Sequence, residues 1–415
     1  MSTATASVPP PPTLGQDAKV IGLVGLAHGV SHFFHLILAP LFPWLKEDFA
    51  LSYAELGLLM TVFFVISCIG QALSGFVVDR VGARAVLFAG VGLLGVGALA
   101  LSQAQNYAML LAGSMIAGLG NSVFHPADYT LLNRRVSQPR LGHAFSVHGI
   151  SGNLGWAAAP VFLAGLAGLF HWRVALACAA LVPAAVLLLL FLHRDLLDTR
   201  AGTPRQGKAD AAGEAHVLAF LRLPGVWMCF AFFFVTALAL GGIQSFAAPG
   251  LRALYGMSLA TATAGYSTYM VASAAGMLFG GFVAARAHKH ERTIAIAFMA
   301  SGAFALLLAA GIVPAMMAVV LMGAVGFGAG VAGPSRDLLI RAAAPANATG
   351  RVYGVVYSGL DVGLASAPLL FGAVMDAQHP AWVFIGIGVL QCLAIFTAVG
   401  VGGSAAQRAA QPRPA

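Results

Sequence analysis

Long apolar runs, each closed off by charged or turn-forming residues, recur along the chain from Val20 onward. Twelve of them predict helices at about 20–42, 54–78, 84–103, 107–134, 142–169, 173–192, 223–248, 259–284, 294–312, 315–341, 351–376 and 381–402. A helix needs about 20 predominantly apolar residues to cross the hydrocarbon core of a bilayer, so the runs read as membrane spans. Their connections are short with one exception: the stretch from Arg194 to Arg222, rich in charge, glycine and alanine, leaves six helices on either side. The chain is thereby divided into a disordered tail at 1–18, a six-helix half at 19–193, a linker loop at 194–221, a second six-helix half at 222–402 and a tail at 403–415. The first segment, with Pro9 to Pro12, lacks the charged start and cleavage site of a signal peptide.

Composition supports this reading and narrows the function classes. Of 415 residues 59% are hydrophobic and 9% charged, against about a quarter charged in soluble domains. The predicted class is an all-α polytopic membrane protein with no room for a sizeable soluble domain, which argues against a soluble enzyme, a nucleic-acid binder or a secreted disulfide scaffold. Cys68, Cys178, Cys229 and Cys392 are scattered inside apolar runs with no metal-ligand spacing, and read as free thiols. With the N-terminus inside, 19 of the 22 basic residues fall on the cytoplasmic side, and only Lys46, Arg173 and Arg252 fall outside. The positive-inside rule then places both termini in the cytoplasm of a multi-pass inner (plasma) membrane protein.

The two halves repeat one another. Gly120, Pro126, Leu131, Gly142, Gly155 and Pro160 recur 208 residues later as Gly328, Pro334, Leu339, Gly350, Gly363 and Pro368. Earlier in each half the offset is 206, taking Pro43, Leu45, Ser52, Ala54 and Gly75 to Pro249, Leu251, Ser258, Ala260 and Gly281. Parallel six-helix repeats joined by a cytoplasmic loop are a transporter architecture. The chain has no G-x-x-x-x-G-K-[ST] nucleotide loop and no catalytic constellation, so a non-enzymatic secondary transporter without cofactors is expected, acting as a monomer in the lipid bilayer.

Between helices 2 and 3 the chain reads Gly75-Phe-Val-Val-Asp79-Arg80-Val-Gly82-Ala-Arg84. This resembles the signature loop of the major facilitator superfamily, G-x-x-x-D-R-x-G-R-[RK], with Ala83 as a departure. The resemblance implies twelve spans in two pseudo-symmetric halves and a gating latch built from this loop; the second half has Ala285 in place of Asp79. Helix 5 carries Gly149, Gly152, Asn153, Gly155, Ala159 and Pro160, and helix 11 carries Gly359, Asp361, Gly363, Ala367 and Pro368. Small residues at this spacing let helices pack closely and bend at proline, and the pattern is similar to one found in antiporters of the superfamily. The helix-4 segment Gly118-Leu-Gly120-Asn121-Ser122-Val123-Phe124-His125-Pro126, with Ala27-His28 and Gly152-Asn153-Leu-Gly155, resembles the fosmidomycin-resistance branch, which implies drug efflux. That branch has Asn-Asp where Ser31 and His32 stand here, and Glu where Ala127 stands.

Ionisable groups inside a bilayer are costly and by default functional. His28, His32 and His35 are spaced i, i+4, i+7 and project within about 60° of one another on helix 1; His125 and Asp128 on helix 4 and His148 on helix 5 join them. The second half offers Gln244, Tyr266, Tyr269, Arg336, Tyr357 and Asp361, and Asn153 and Asp361 are symmetry mates. Asp128 and Arg336 also occupy equivalent positions, where an opposite-charge pair would bridge the halves at a closed inner gate. The histidines admit three roles: proton carriers, since an imidazole titrates near physiological pH; neutral hydrogen-bonding groups for a polar or anionic solute; or a metal site formed by His28, His32, His35 and Asp128. His28, His32, Asp128 and Asp361 are the proton-coupling candidates. The expected function is proton-coupled efflux of a small polar or anionic organic solute by alternating access, with proton-coupled uptake of an organic acid, metal ion or metal chelate as the alternative.

Overall fold

Thr13 begins the first helix: its hydroxyl accepts from the Gln16 backbone N–H while the Gln16 side chain accepts from the Thr13 N–H, a reciprocal capping box. Helix α1 follows (Leu14–His35), then a short 3-10 turn at Ala39–Leu41 and α2 (Phe42–Asp48). The remaining helices of the first half are α3 (Tyr53–Val81), α4 (Ala83–Ser102), α5 (Tyr107–Asn121), α6 (Phe124–Arg135), α7 (Leu141–Leu169) and α8 (Trp172–Leu192). Those of the second half are α9 (Pro224–Tyr255), α10 (Leu259–Arg286), α11 (His290–Ala309), α12 (Ala315–Ala343), α13 (Thr349–Asp376) and α14 (Ala381–Ala410). The computed structural model describes residues 13–198, 224–287, 289–343 and 349–410, without the side chains of 72, 76, 79, 138, 142, 146, 337, 340–343, 349–357 and 401–410. Among the described residues, twelve spans are long and apolar enough to cross a membrane, with α1–α2 and α5–α6 each forming one.

The sequence repeat is a repeat of contacts. Ser52 and Ser258 are equivalent N-caps, accepting from the backbone N–H of Glu55 and Thr261 at the starts of α3 and α10. A Cβ on Gly118 would fall on the Phe63 carbonyl of α3, and one on Gly326 would fall on the Tyr269 carbonyl of α10. Likewise Gly155 of α7 lies against the Gly29 carbonyl of α1, and Gly363 of α13 against the Phe234 carbonyl of α9. Each pair lets two backbones approach closer than any side chain permits, the means by which helices associate where lipid gives no hydrophobic drive.

The symmetry breaks at two prolines. Proline lacks the N–H that would bond the carbonyl four residues back. At Pro126 this frees the Ser122 carbonyl, which the Ser74 hydroxyl of α3 takes at 3.1 Å, and the helix divides into α5 and α6; α12 runs unbroken through Pro334. The first span divides similarly near Pro40, whereas α9 continues through Pro249.

Arg80, Arg84, Arg134, Arg135, Arg140 and Arg194 gather at one end of the bundle, where Arg84 bonds the Arg194 carbonyl at 3.1 Å and Arg135 that of Leu196 at 2.8 Å. The halves meet along α3 with α13 and α7 with α10. Toward the end opposite the basic one, Thr61 donates to the Ala365 carbonyl at 2.6 Å, and Asp376 accepts the Tyr53 and Ala54 backbone N–H groups at 2.8 Å each. Phe246 of α9 packs against Phe42 and Tyr53 with ring centroids 5.7 and 6.0 Å apart.

Three expectations need correction. Helix α1 starts at Leu14, so residues 14–18 are helix and not tail, and Asp17 is fully buried. Helix α14 runs through Ala410, eight residues past the expected end of the second half at 402. A Cβ at Gly75 or Gly149 would meet nothing within 4 Å, so neither glycine is there for close helix approach in this structure. The tail before residue 13 and the linker at 199–223 lie outside the described residues.

Candidate functional site

The break before α6 brings His125 and Asp128 onto the histidine face of α1. His28 stacks on His148 with centroids 3.4 Å apart and lies 4.3 Å from His32 and 5.7 Å from His125. The space for these rings comes from Gly152, where a Cβ would fall on the rings of His32 and His28. Trp156, one turn further along α7, stacks on His32 at 4.2 Å. All six ionisable candidates of the first half thus form one continuous cluster between α1, α6 and α7. His28, His148 and Asp128 are buried, while His32 and His125 are partly accessible.

Hydrogen bonds fix what each ring can do. The His28 Nδ1 sits 2.8 Å from the His148 carbonyl, so Nδ1 carries the proton and donates; its Nε2 is buried without a partner. His125 Nδ1 lies 2.7 Å from Gln71 Oε1, an acceptor, so this nitrogen also donates and Nε2 keeps its lone pair. His148 Nε2 meets Asp128 Oδ2 at 3.1 Å, leaving Asp128 Oδ1 buried and, among the described residues, unpartnered.

His35 differs in its hydrogen bonds. Trp156 Nε1–H donates to its Nδ1 at 3.3 Å, and the Asn121 amide, which also contacts Ser31 (2.6 Å) and Ser67 (2.9 Å), meets its Nε2 at 3.1 Å. Both ring nitrogens are occupied, so His35 ties α1 to α5 and α7 and offers no free lone pair to a ligand.

Gln71 carries the cluster to the other half. Its Oε1 accepts a hydrogen bond from His125 Nδ1–H while its Nε2 donates to Asp361 Oδ2 of α13 at 3.2 Å. The sequence reading missed Gln71, although a lone amide inside the apolar run 54–78 was the available signal.

Comparison with known proteins supplies the family. The family model described as Major Facilitator Superfamily matches residues 24–368 and, in a second, overlapping match, 234–412. The chain belongs to this superfamily. Curated relatives include the "Probable nitrate transporter NarT" of Staphylococcus aureus strains JH9, Newman and N315, each 23% identical over 185 residues, 45% of this chain and 47% of the relative. The match spans about half the length of these relatives. Two crystal structures of a bacterial homolog of the human lysosomal transporter Spinster share the fold: inward-facing and unoccupied (TM-score 0.72, 15% identity) and inward-facing and occupied (0.71, 16%). Each comparison covers 97% of this chain and 100% of the other.

In this major facilitator protein the signature loop turns at Gly82, whose φ of +97° is a conformation that favours glycine. Arg80 is exposed, and Arg84 pairs with Asp198 at the start of the linker at 3.6 Å; the side chains of Asp79 and Tyr357 lie outside the described residues. Arg336 lies over the Phe233 ring at 5.2 Å, while Asp128 is held by His148. Asn153 faces Met277 Sδ across the α7–α10 contact at 3.9 Å. Tyr269 is buried, with its carbonyl against Gly326. Gln244 and Tyr266 line a small cavity between the halves with Leu36, Ala39 and Pro160, and both amide atoms and the phenol oxygen are buried without partners among the described residues.

Proposed function

We propose that this major facilitator protein moves a small polar solute, anionic by preference, by alternating access, with protonation of the histidine–aspartate cluster biasing which side is open. The observation that carries this reading is the relay His125–Gln71–Asp361. An amide has two ends, and here one end reads the protonation of the cluster while the other holds a carboxylate of the opposite half. A proton added at His125 Nε2 or at Asp361 changes the strength of these bonds, and so the balance between two arrangements of α3 and α13. Gln244 and Tyr266 offer polar atoms for the solute at the cavity they line with Leu36 and Pro160. The positive-inside reading makes the basic end cytoplasmic, so the cross-half contacts of Thr61 and Asp376 lie on the outer side, and the reading has solute loaded from the cytoplasm once the basic end opens. The motif resemblance to the fosmidomycin-resistance branch favours efflux of a drug-like solute from the cell across the inner membrane.

Purified protein in proteoliposomes, with a pH-reporting dye inside, tests this against organic acids, antibiotics and nitrate. The expected result is solute-dependent proton flux that an imposed pH gradient drives, abolished by Asp361→Asn and weakened by His125→Gln. Solute transport indifferent to the gradient overturns the coupling. A second reading, transport of a small inorganic anion, is favoured by the similarity to the probable nitrate transporters; nitrate as the sole hit in the panel selects it.

A further inference from the structure

We propose that His28, His32 and His125 form a binding site for a divalent first-row transition-metal ion of the zinc type. One ring nitrogen from each of these residues lies within 4.8 Å of the other two, and His28, Asp128 and His148 form a second such group sharing His28. A tetrahedral ion with bonds of about 2.0–2.1 Å holds its nitrogens about 3.4 Å apart, so the rings converge on it by rotations that move each nitrogen about an ångström.

The hydrogen bonds decide what fits between the rings. The Nδ1–H groups of His28 and His125 are spent on the His148 carbonyl and on Gln71, which leaves their Nε2 lone pairs as the atoms available to a ligand. Metal-binding histidines characteristically donate their other ring N–H to such an acceptor. Lone pairs repel an anion and attract a cation, so unprotonated imidazoles here make a cation site and leave the anionic solute to Gln244 and Tyr266. Among the described residues His28 Nε2 is buried with no partner, a cost that an ion bound to it removes. Gly152 preserves the space, because a Cβ there would fill it. Three imidazoles with borderline-soft nitrogen donors suit Zn²⁺, Co²⁺, Ni²⁺ or Cu²⁺ and not Mg²⁺ or Ca²⁺. His35, whose two nitrogens are taken by Trp156 and Asn121, is excluded from the ligand set. The ion and the coupling proton compete for the same lone pairs, so binding releases protons and weakens as pH falls.

Binding is measured on tag-free protein in detergent and does not depend on transport, so failure of the transport reading leaves this test intact. Titration with Co²⁺ alone should give one saturable equivalent with the visible spectrum of a tetrahedral nitrogen site, displaced by Zn²⁺ and not by Mg²⁺. His28→Ala and His125→Ala should each lower the affinity at least about 100-fold, and Gln71→Leu, which removes an outer partner, about tenfold. His379→Ala, at an exposed histidine outside the cluster, should leave it unchanged. X-ray absorption of the Zn²⁺-loaded wild type should count three imidazoles, a readout that needs no variant to fold. Absence of saturable Co²⁺ or Zn²⁺ binding, sulfur ligation, fewer than two imidazoles, or affinity unchanged in His28→Ala/His125→Ala each overturns the proposal.

Discussion

Gln71 of α3 donates its side-chain amide to Asp361 of α13 at 3.2 Å, and this bond joins the two halves one residue away from the histidine cluster. A hydrogen bond to a charged group contributes about 1.5–3 kcal/mol. Gln71→Leu keeps most of the volume and removes both bonds, so the balance between the two transport states should shift by about 10- to 100-fold. The check is solute-driven proton flux in proteoliposomes across pH 5.5–8: the variant should still bind solute while its pH dependence flattens. A profile matching the wild type would detach Gln71 from coupling.

The opposite end holds a second cross-half contact of a different kind. Asp376 ends α13 and places both carboxylate oxygens on the first backbone N–H groups of α3, at Tyr53 and Ala54. A helix N-terminus carries partial positive charge and unpaired donors, so this carboxylate works as an N-cap supplied from the other half. Separation of the halves at this end must break it. Asp376→Ala should favour the separated state by about 1–3 kcal/mol, roughly 5- to 150-fold in population. Spin labels at the exposed positions Glu47 and Ala377 report it directly: the distance distribution should gain a longer component in Asp376→Ala and stay single in the parent.

Equivalent glycines should respond equivalently. At Gly155 and Gly363 a Cβ would collide with the backbone carbonyls of Gly29 and Phe234, and backbone cannot swing aside as a side-chain tip can. Gly155→Val and Gly363→Val should each lose about 3 kcal/mol or more, seen as a large drop in the thermal midpoint in detergent. Gly149→Ala, in the same helix but with open space at its Cβ, should be tolerated and slightly stabilising, because alanine is the better helix former.

The twelve spans were legible because bilayer thickness leaves a helix little choice of length, and the repeat was legible because backbone contacts at Gly118 and Gly326 or Gly155 and Gly363 admit only small residues. The ends of elements were harder to read. The break between α5 and α6 depends on a Ser74 hydroxyl, distant in sequence, taking the carbonyl that Pro126 frees. The histidines were visible as rare polar groups in apolar runs, but their division of labour was not. His35 separates from His28 and His32 only because Trp156 and Asn121, on other helices, occupy its nitrogens.

Asp17 was missed for a related reason: it sits in a stretch whose composition reads as tail, although Thr13 and Gln16 around it spell a capping box. Its carboxylate accepts from the Ser137 backbone and hydroxyl, the latter at 2.5 Å, and from Arg140 Nε at 2.5 Å, fastening the start of α1 to the α6–α7 connection. Breaking a fully buried pair costs about 3–5 kcal/mol, but Arg140 is 31% exposed and can be solvated, so the lower part of that range or slightly below applies. Asp17→Ala should therefore destabilise the protein by about 2–3 kcal/mol, and a double-mutant cycle with Arg140→Ala should return a coupling of about 1–2 kcal/mol. Because α1 carries His28 and His32, the same variant should also weaken Co²⁺ binding in proportion to the loosening of that helix. Unchanged stability in Asp17→Ala would mean that the rest of α1 holds this end without it.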